Sequence, residues 1–213
     1  MLTGRYPLVA LAIVAALCLL IPCSSAIASP QSGVQPAALA VIQQRPLDRD
    51  ARVRWFVNST VGPKSLGGGV ISSAWGTGFN NPEEYGPHWD GFAKRYGMRL
   101  TGIAASNAIE VGLGSVWGEN PRYPAAGSGK VWSRVGNAAK YSFVAKRSDG
   151  STAPAYARYA GIAGGNFVSN AWRAESESTT GAALQRTGLG FAGRFVSNLF
   201  DEFWPDVRNR LRR

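Results

Sequence analysis

Thiols and imidazoles are nearly missing from this 213-residue chain: it has two cysteines, Cys18 and Cys23, and one histidine, His88. Past residue 23 there is no cysteine for a disulfide, and one histidine leaves no His/Cys set for a zinc site. Acid is scarce as well, with 13 Asp and Glu against 23 Lys and Arg, a formal net charge of +10. Beyond residue 28 no segment offers about twenty predominantly apolar residues, which argues against ordinary membrane-spanning helices. No Gly-x-Ser-x-Gly elbow singles out a nucleophilic serine. The Gly67 to Gly69 cluster lacks the Gly-Lys-Ser/Thr ending of a phosphate loop. No catalytic, cofactor-binding or metal-binding set can be assembled from this inventory, and no cofactor is expected.

What is present begins with an address. Arg5 and the terminal amine precede an apolar run from Leu8 to Ile21, followed by the small residues Ala26 and Ala28. This pattern predicts a signal peptide over residues 1–28 and an exported protein, periplasmic or associated with the outer membrane. Pro22 sits where a lipidated Cys23 would need a small residue, so cleavage after Ala28 removes both cysteines. It also removes one arginine and no acid, so 23 basic and 13 acidic residues become 22 and 13, a net charge of +9. Outside the cytoplasm that excess suits anionic lipid or a cell-wall polymer rather than nucleic acid. Residues 29–54, rich in Pro, Gln, Ala and Arg, read as a disordered linker. Residues 55–207 form one helical domain, and residues 208–213 a basic tail.

Periodicity makes the domain mainly α, a compact bundle of about four Gly/Ala-rich helices. Phe92, Tyr96, Leu100, Ile103, Asn107 and Val111 recur at three- and four-residue steps, predicting a helix from Pro87 to about Gly118. Further helices are predicted over about 130–144, 154–172 and 181–204. Lys140 to Lys146 also suits a strand of a hairpin around Asp149-Gly150. The uncharged stretch Ser65 to Pro82 holds five glycines. It reads as a flexible loop or a segment held against another backbone.

Two features suggest how the helices meet. The phrase Phe-Val-Ser-Asn occurs at 167–170 and again at 195–198, each copy preceded by glycines, with a looser version ending at Asn107. Gly161, Gly165, Gly190 and Gly193 are expected to let the third and fourth helices approach closely, as small-xxx-small faces do. Asn170 and Asn198 then sit at matching depths and bond across the pair. Trp89, Trp117, Trp132, Trp172 and Trp204 fall at or near predicted helix ends, a distribution that suits interfacial anchors on a membrane surface or a tight homo-oligomer.

The segments Gly91 to Gly97 (GFAKRYG), Asn120 to Tyr123 (NPRY), Phe167 to Asn170 (FVSN) and Glu202 to Asp206 (EFWPD) together resemble an uncharacterised family of exported bacterial proteins. The resemblance covers roughly residues 60–207 and implies a shared fold and export, with no activity attached. The expected function is a non-enzymatic envelope module associated with membrane or cell wall. The alternative is a carboxylate-dependent hydrolase or lytic enzyme using Glu83, Glu84, Asp90 or Glu110 near His88, which would pair acid and base.

Overall fold

The computed structural model describes residues 47–212. Helix α1 (Arg49–Val61) starts where the Asp48 carboxylate accepts the Ala51 N–H at 2.7 Å, an N-cap bond. Pro63 then opens α2 (Pro63–Gly78) at its first position, where the missing N–H costs nothing. A 3-10 turn, Glu83–Tyr85, leads into the long α3 (Trp89–Trp117). Gly118 closes α3 in the left-handed conformation, φ 70°, as helix C-caps require. After β1 (Glu119–Asn120) come α4 (Val131–Phe143), β2 (Val144–Arg147), β3 (Thr152–Pro154) and α5 (Tyr156–Ser169). The three short strands form one antiparallel sheet in the order β1-β2-β3, with Glu119 facing Arg147 and Ala145 facing Ala153. Helix α6 (Thr180–Leu211) completes the chain, its N-terminus capped by the Thr179 hydroxyl, which accepts from Ala182 N at 3.1 Å.

The mainly α architecture is as expected, with more helices than the four anticipated. Helices α3 and α4 occupy the predicted stretches almost to the residue. The expected signal peptide and the first part of the expected linker fall outside the described residues, but residues 49–54 of that linker are already helical, since α1 begins at Arg49, ahead of Trp55. The glycine-rich Ser65 to Pro82 stretch is largely helical. At Gly69 a Cβ would lie 2.8 Å from the Tyr96 ring and 2.9 Å from Arg99 Nη1, so the glycine that weakens α2 in isolation admits α3 against it. Lys140 to Lys146 is helix up to Phe143 and strand from Val144, joined to β3 by the Asp149-Gly150 turn. Helix α6 continues through Pro205 to Leu211, so Arg208 and Arg210 sit in its last turn instead of in a separate tail.

Among the described residues the most extensive contact between elements is that of α3 with α5. Ala157, Gly161, Gly165 and Ser169 recur every four residues along α5 and are all buried. Opposite them on α3, also every four residues, stand Gly114, Glu110, Ser106 and Gly102. A Cβ on Gly165 would stand 2.7 Å from Ser106 Cα, and one on Gly161 2.8 Å from Ser106 O and 3.1 Å from Glu110 N. One on Gly114 would lie 3.7 Å from Ala157 Cβ, and one on Gly102 3.9 Å from Ser169 Cβ. The numbers descend on one helix as they rise on the other, which makes an antiparallel ladder of small residues at backbone contact.

Candidate functional site

Small residues at the helix contacts leave little apolar volume at the centre. Among the described residues the fully buried side chains of largest volume are Arg158, Glu202, Asn198, Ser142 and Ser169, while the buried apolar ones are Tyr85, six alanines, Pro82 and Pro121. Three polar clusters fill the interior. In the first, Arg158 Nε donates to Glu110 Oε1 at 3.1 Å, and its Nη1 donates to the carbonyls of Tyr141 and Val144. Arg194 reaches the same Glu110 oxygen at 3.5 Å. Burial, and then the charge of Arg194, push the Arg158 guanidinium down to about 10, which still leaves it cationic at neutral pH.

The second cluster centres on Glu202. Its carboxylate accepts from the Tyr123 hydroxyl at 2.6 Å, from Arg134 Nε at 3.0 Å and from the backbone N–H groups of Ala126 and Gly127, each at 3.0 Å. Burial alone would raise its affinity for a proton. The four donors outweigh that and hold the carboxyl below the ordinary glutamate range. Arg134 also binds Asp206 and the Glu202 carbonyl, clamping α6 on both sides of Pro205. Asn198, one turn earlier on α6, donates to Ala138 O at 3.2 Å and Ser142 Oγ at 3.1 Å on α4. In the third cluster Arg95 donates to the carbonyls of Asn81, Pro82 and Gly86, fixing the loop between α2 and α3.

The outer surface is the reverse of this interior. Trp132, Trp89, Ile71, Trp75, Phe79 and Leu189 are each more than 60 % exposed, the first two at 83 % and 78 %. In water such side chains normally provide the core. Among the described residues no helix is long and apolar enough to cross a membrane.

The anticipated packing residues are used, with different partners. Gly161 and Gly165 meet α3 and not α6. The α5–α6 contact relies instead on Gly190, where a Cβ would stand 2.7 Å from Ile162. Gly193 is exposed, with no described atom near the place of a Cβ, so it takes no part in a close approach. Asn170 and Asn198 do not share a depth: Asn170 accepts from Arg186 of α6, and Asn198 bonds to α4. Asn107 makes a third crossing bond, to Thr60 of α1 at 3.0 Å. Of the five tryptophans expected at or near helix ends, Trp89, Trp117, Trp132 and Trp204 are exposed, but Trp204 lies inside α6, because that helix runs on to Leu211; Trp172 is half-buried and donates to Thr101 Oγ1.

The carboxylates considered for hydrolysis do not converge. Glu83, Glu84, His88 and Asp90 are exposed at the start of α3. Glu110 lies 20 residues farther along that helix, roughly 30 Å away at 1.5 Å per residue, and is locked between two arginines. Residues of the GFAKRYG, NPRY and EFWPD segments fall at packing points. A Cβ on Gly91 would stand 2.1 Å from Gly86 O, Arg95 holds a loop, and Tyr123 meets Glu202. The chain matches no protein-family model, no curated protein and no solved structure. Sequence reasoning missed the ion pairs, because Glu110 and Arg158 are 48 residues apart and no local pattern joins them.

Proposed function

We propose that the protein is a non-enzymatic, exported module of the cell envelope that lies on a membrane surface, its apolar side chains in the lipid interface and its basic excess toward anionic headgroups. The observation that carries this reading is the inverted distribution of side chains. Arg158 and Glu202 are 2 % and 1 % exposed, while Trp132 is 83 % exposed. Exposed apolar surface on this scale marks a membrane or protein contact. Small residues and interhelical hydrogen bonds at the contacts, with large apolar groups outside, are what helix association in a lipid setting favours. The Trp and Phe rings match the amphipathic level of the headgroups, and a net charge of +9 once residues 1–28 are removed adds attraction to anionic lipid.

Co-flotation of the full chain with vesicles tests this. Binding is expected to vesicles of phosphatidylglycerol and phosphatidylethanolamine, and part of it is expected to survive a wash at about 1 M salt, where screening cuts surface charge interactions to about 3 Å. Trp89→Ala and Trp132→Ala should lower the salt-resistant fraction, since neither ring is buried in the fold. Recovery of all the protein in the unbound fraction, whatever the lipid, contradicts the reading. Sedimentation of that unbound protein as a dimer or larger would assign the apolar surface to a second copy instead.

A further inference from the structure

The outward face of α6 carries a continuous apolar seam. Leu189, Val196, Phe200, Trp204, Val207 and Leu211 are 44–78 % exposed, and Gly193 lies open among them. At about 100° per residue these positions fall within roughly 80° of arc, narrower than the face a helix turns toward a core and suited to the seam one helix offers another. Their spacing has a centre. Val196, Gly193 and Leu189 stand 4, 7 and 11 residues before Phe200, and Trp204, Val207 and Leu211 stand 4, 7 and 11 residues after it. An 11-residue repeat, about 3.67 residues per turn, stays close to the period of a straight helix, so the seam drifts little along α6.

A spacing that reads the same in both directions fits an antiparallel copy of itself. With Phe200 on the two-fold axis, Leu189 faces Leu211 of the second copy, Val196 faces Trp204, and Gly193, which meets nothing on its own chain, leaves room for Val207. Large side chains thus stand opposite smaller ones. Phe200 and Trp204 already stack, ring centroids 5.0 Å apart, so little further ordering is needed on association. At these exposures the six side chains present roughly 700 Å² per copy, close to the ~800 Å² per partner of a standard interface. Charge selects the direction. Arg208, Arg210 and Arg212 cluster at one end of the seam, and a parallel pair would bring the two clusters together. The antiparallel pair sets the two Arg210 residues about 30 Å apart along the axis at ~1.5 Å per residue, well beyond the ~8 Å screening length. Each cluster then lies beside the uncharged stretch Gly188 to Ala192. We infer that α6 joins two copies of this chain in an antiparallel homodimer centred on Phe200. The membrane reading rests on Trp89 and Trp132, which belong to α3 and α4, so either inference can fail alone.

Equilibrium sedimentation of the full chain in lipid-free buffer tests the pairing, at about 0.5 M salt to screen the net positive charge. The expected species has twice the 22.7 kDa of one chain, with a Kd in the micromolar range or tighter. Phe200→Glu, at a position 44 % exposed, places two carboxylates on the axis and should weaken association at least about tenfold while circular dichroism stays that of the parent. Register is read by cross-linking in a Cys18→Ser, Cys23→Ser background. Phe200→Cys meets its own copy and should form an intermolecular disulfide, whereas Leu189→Cys, which faces Leu211, should not. A monomeric parent overturns the inference; if that monomer floats with vesicles and does so less after Phe200→Glu, the seam belongs to lipid. Association unchanged by Phe200→Glu overturns it as well, and so do disulfides in both cysteine variants, the mark of a parallel pair.

Discussion

The buried charges of Arg95, Glu110, Arg134, Arg158 and Glu202 are each met by specific donors or acceptors, and Glu202 shows what that does. Its folded-state pKa lies below its ordinary value of about 4.3, because Tyr123, Ala126, Arg134 and Gly127 all favour the ionised form. A depressed carboxyl contributes stability that is complete above the unfolded pKa and is lost as pH falls through the folded one. Glu202→Gln removes the charge and leaves Arg134 with a weaker partner, so the variant should be less stable than the parent at neutral pH by about 3–5 kcal/mol, the usual cost of breaking a buried pair. The difference should shrink steadily as urea titrations are repeated from pH 5 downward. A gap that stays constant to pH 3 would mean that the carboxylate is not the ionised centre of this cluster. Nothing in the sequence near Glu202 announces the role. Asp201, Glu202 and Asp206 sit together before a basic end, which reads as a solvated helix terminus, whereas the decisive partners, Tyr123 and Arg134, lie 79 and 68 residues away.

Between elements, the α3–α5 ladder makes a sharper demand, since it depends on what is absent. Gly165→Ala would place a methyl 2.7 Å from Ser106 Cα, and backbone cannot step aside as a side-chain tip can. The helices must separate, and overpacking of this kind costs about 1–3 kcal/mol. Gly193→Ala, in the copy of the same phrase on α6, meets nothing among the described residues and should raise stability by up to about 1 kcal/mol through helix propensity. Thermal melts of the two variants should therefore move in opposite directions; shifts of the same sign would refute the ladder. The elements themselves were largely readable. The limits of α3 and α4 follow from residue spacing and from Gly118, and the small-residue face of α5 is visible in its four-residue steps. Its partner was not visible, because α3 and α6 both carry glycines and small residues, and only three-dimensional contact decides between them. The helicity of α2 was hidden for a related reason: intrinsic propensity spoke against a helix where packing on Tyr96 and Arg99 favours one.

For the molecule as a whole, charged residues set within the helices, Glu110, Arg186 and Arg194, are internal fastenings. Trp89 and Trp132 were legible as exposed aromatics because they flank helices, but the pairing of Glu119 with Arg147 was not, since β1 is two residues long. An interior of alanine, arginine, glutamate and asparagine also has a thermal consequence. Unfolding raises heat capacity through newly wetted apolar area and lowers it through polar area. With bulky apolar groups already wet in the folded state, the heat-capacity change in scanning calorimetry should fall below the usual value of about 12–15 cal/mol/K per residue; a value within that range would show that more hydrocarbon is sheltered than the burial pattern implies. A small change flattens the curve of stability against temperature. Cold would then loosen this protein little, and its folded state would persist over a broad thermal span because arginine and glutamate occupy the places where most proteins keep leucine.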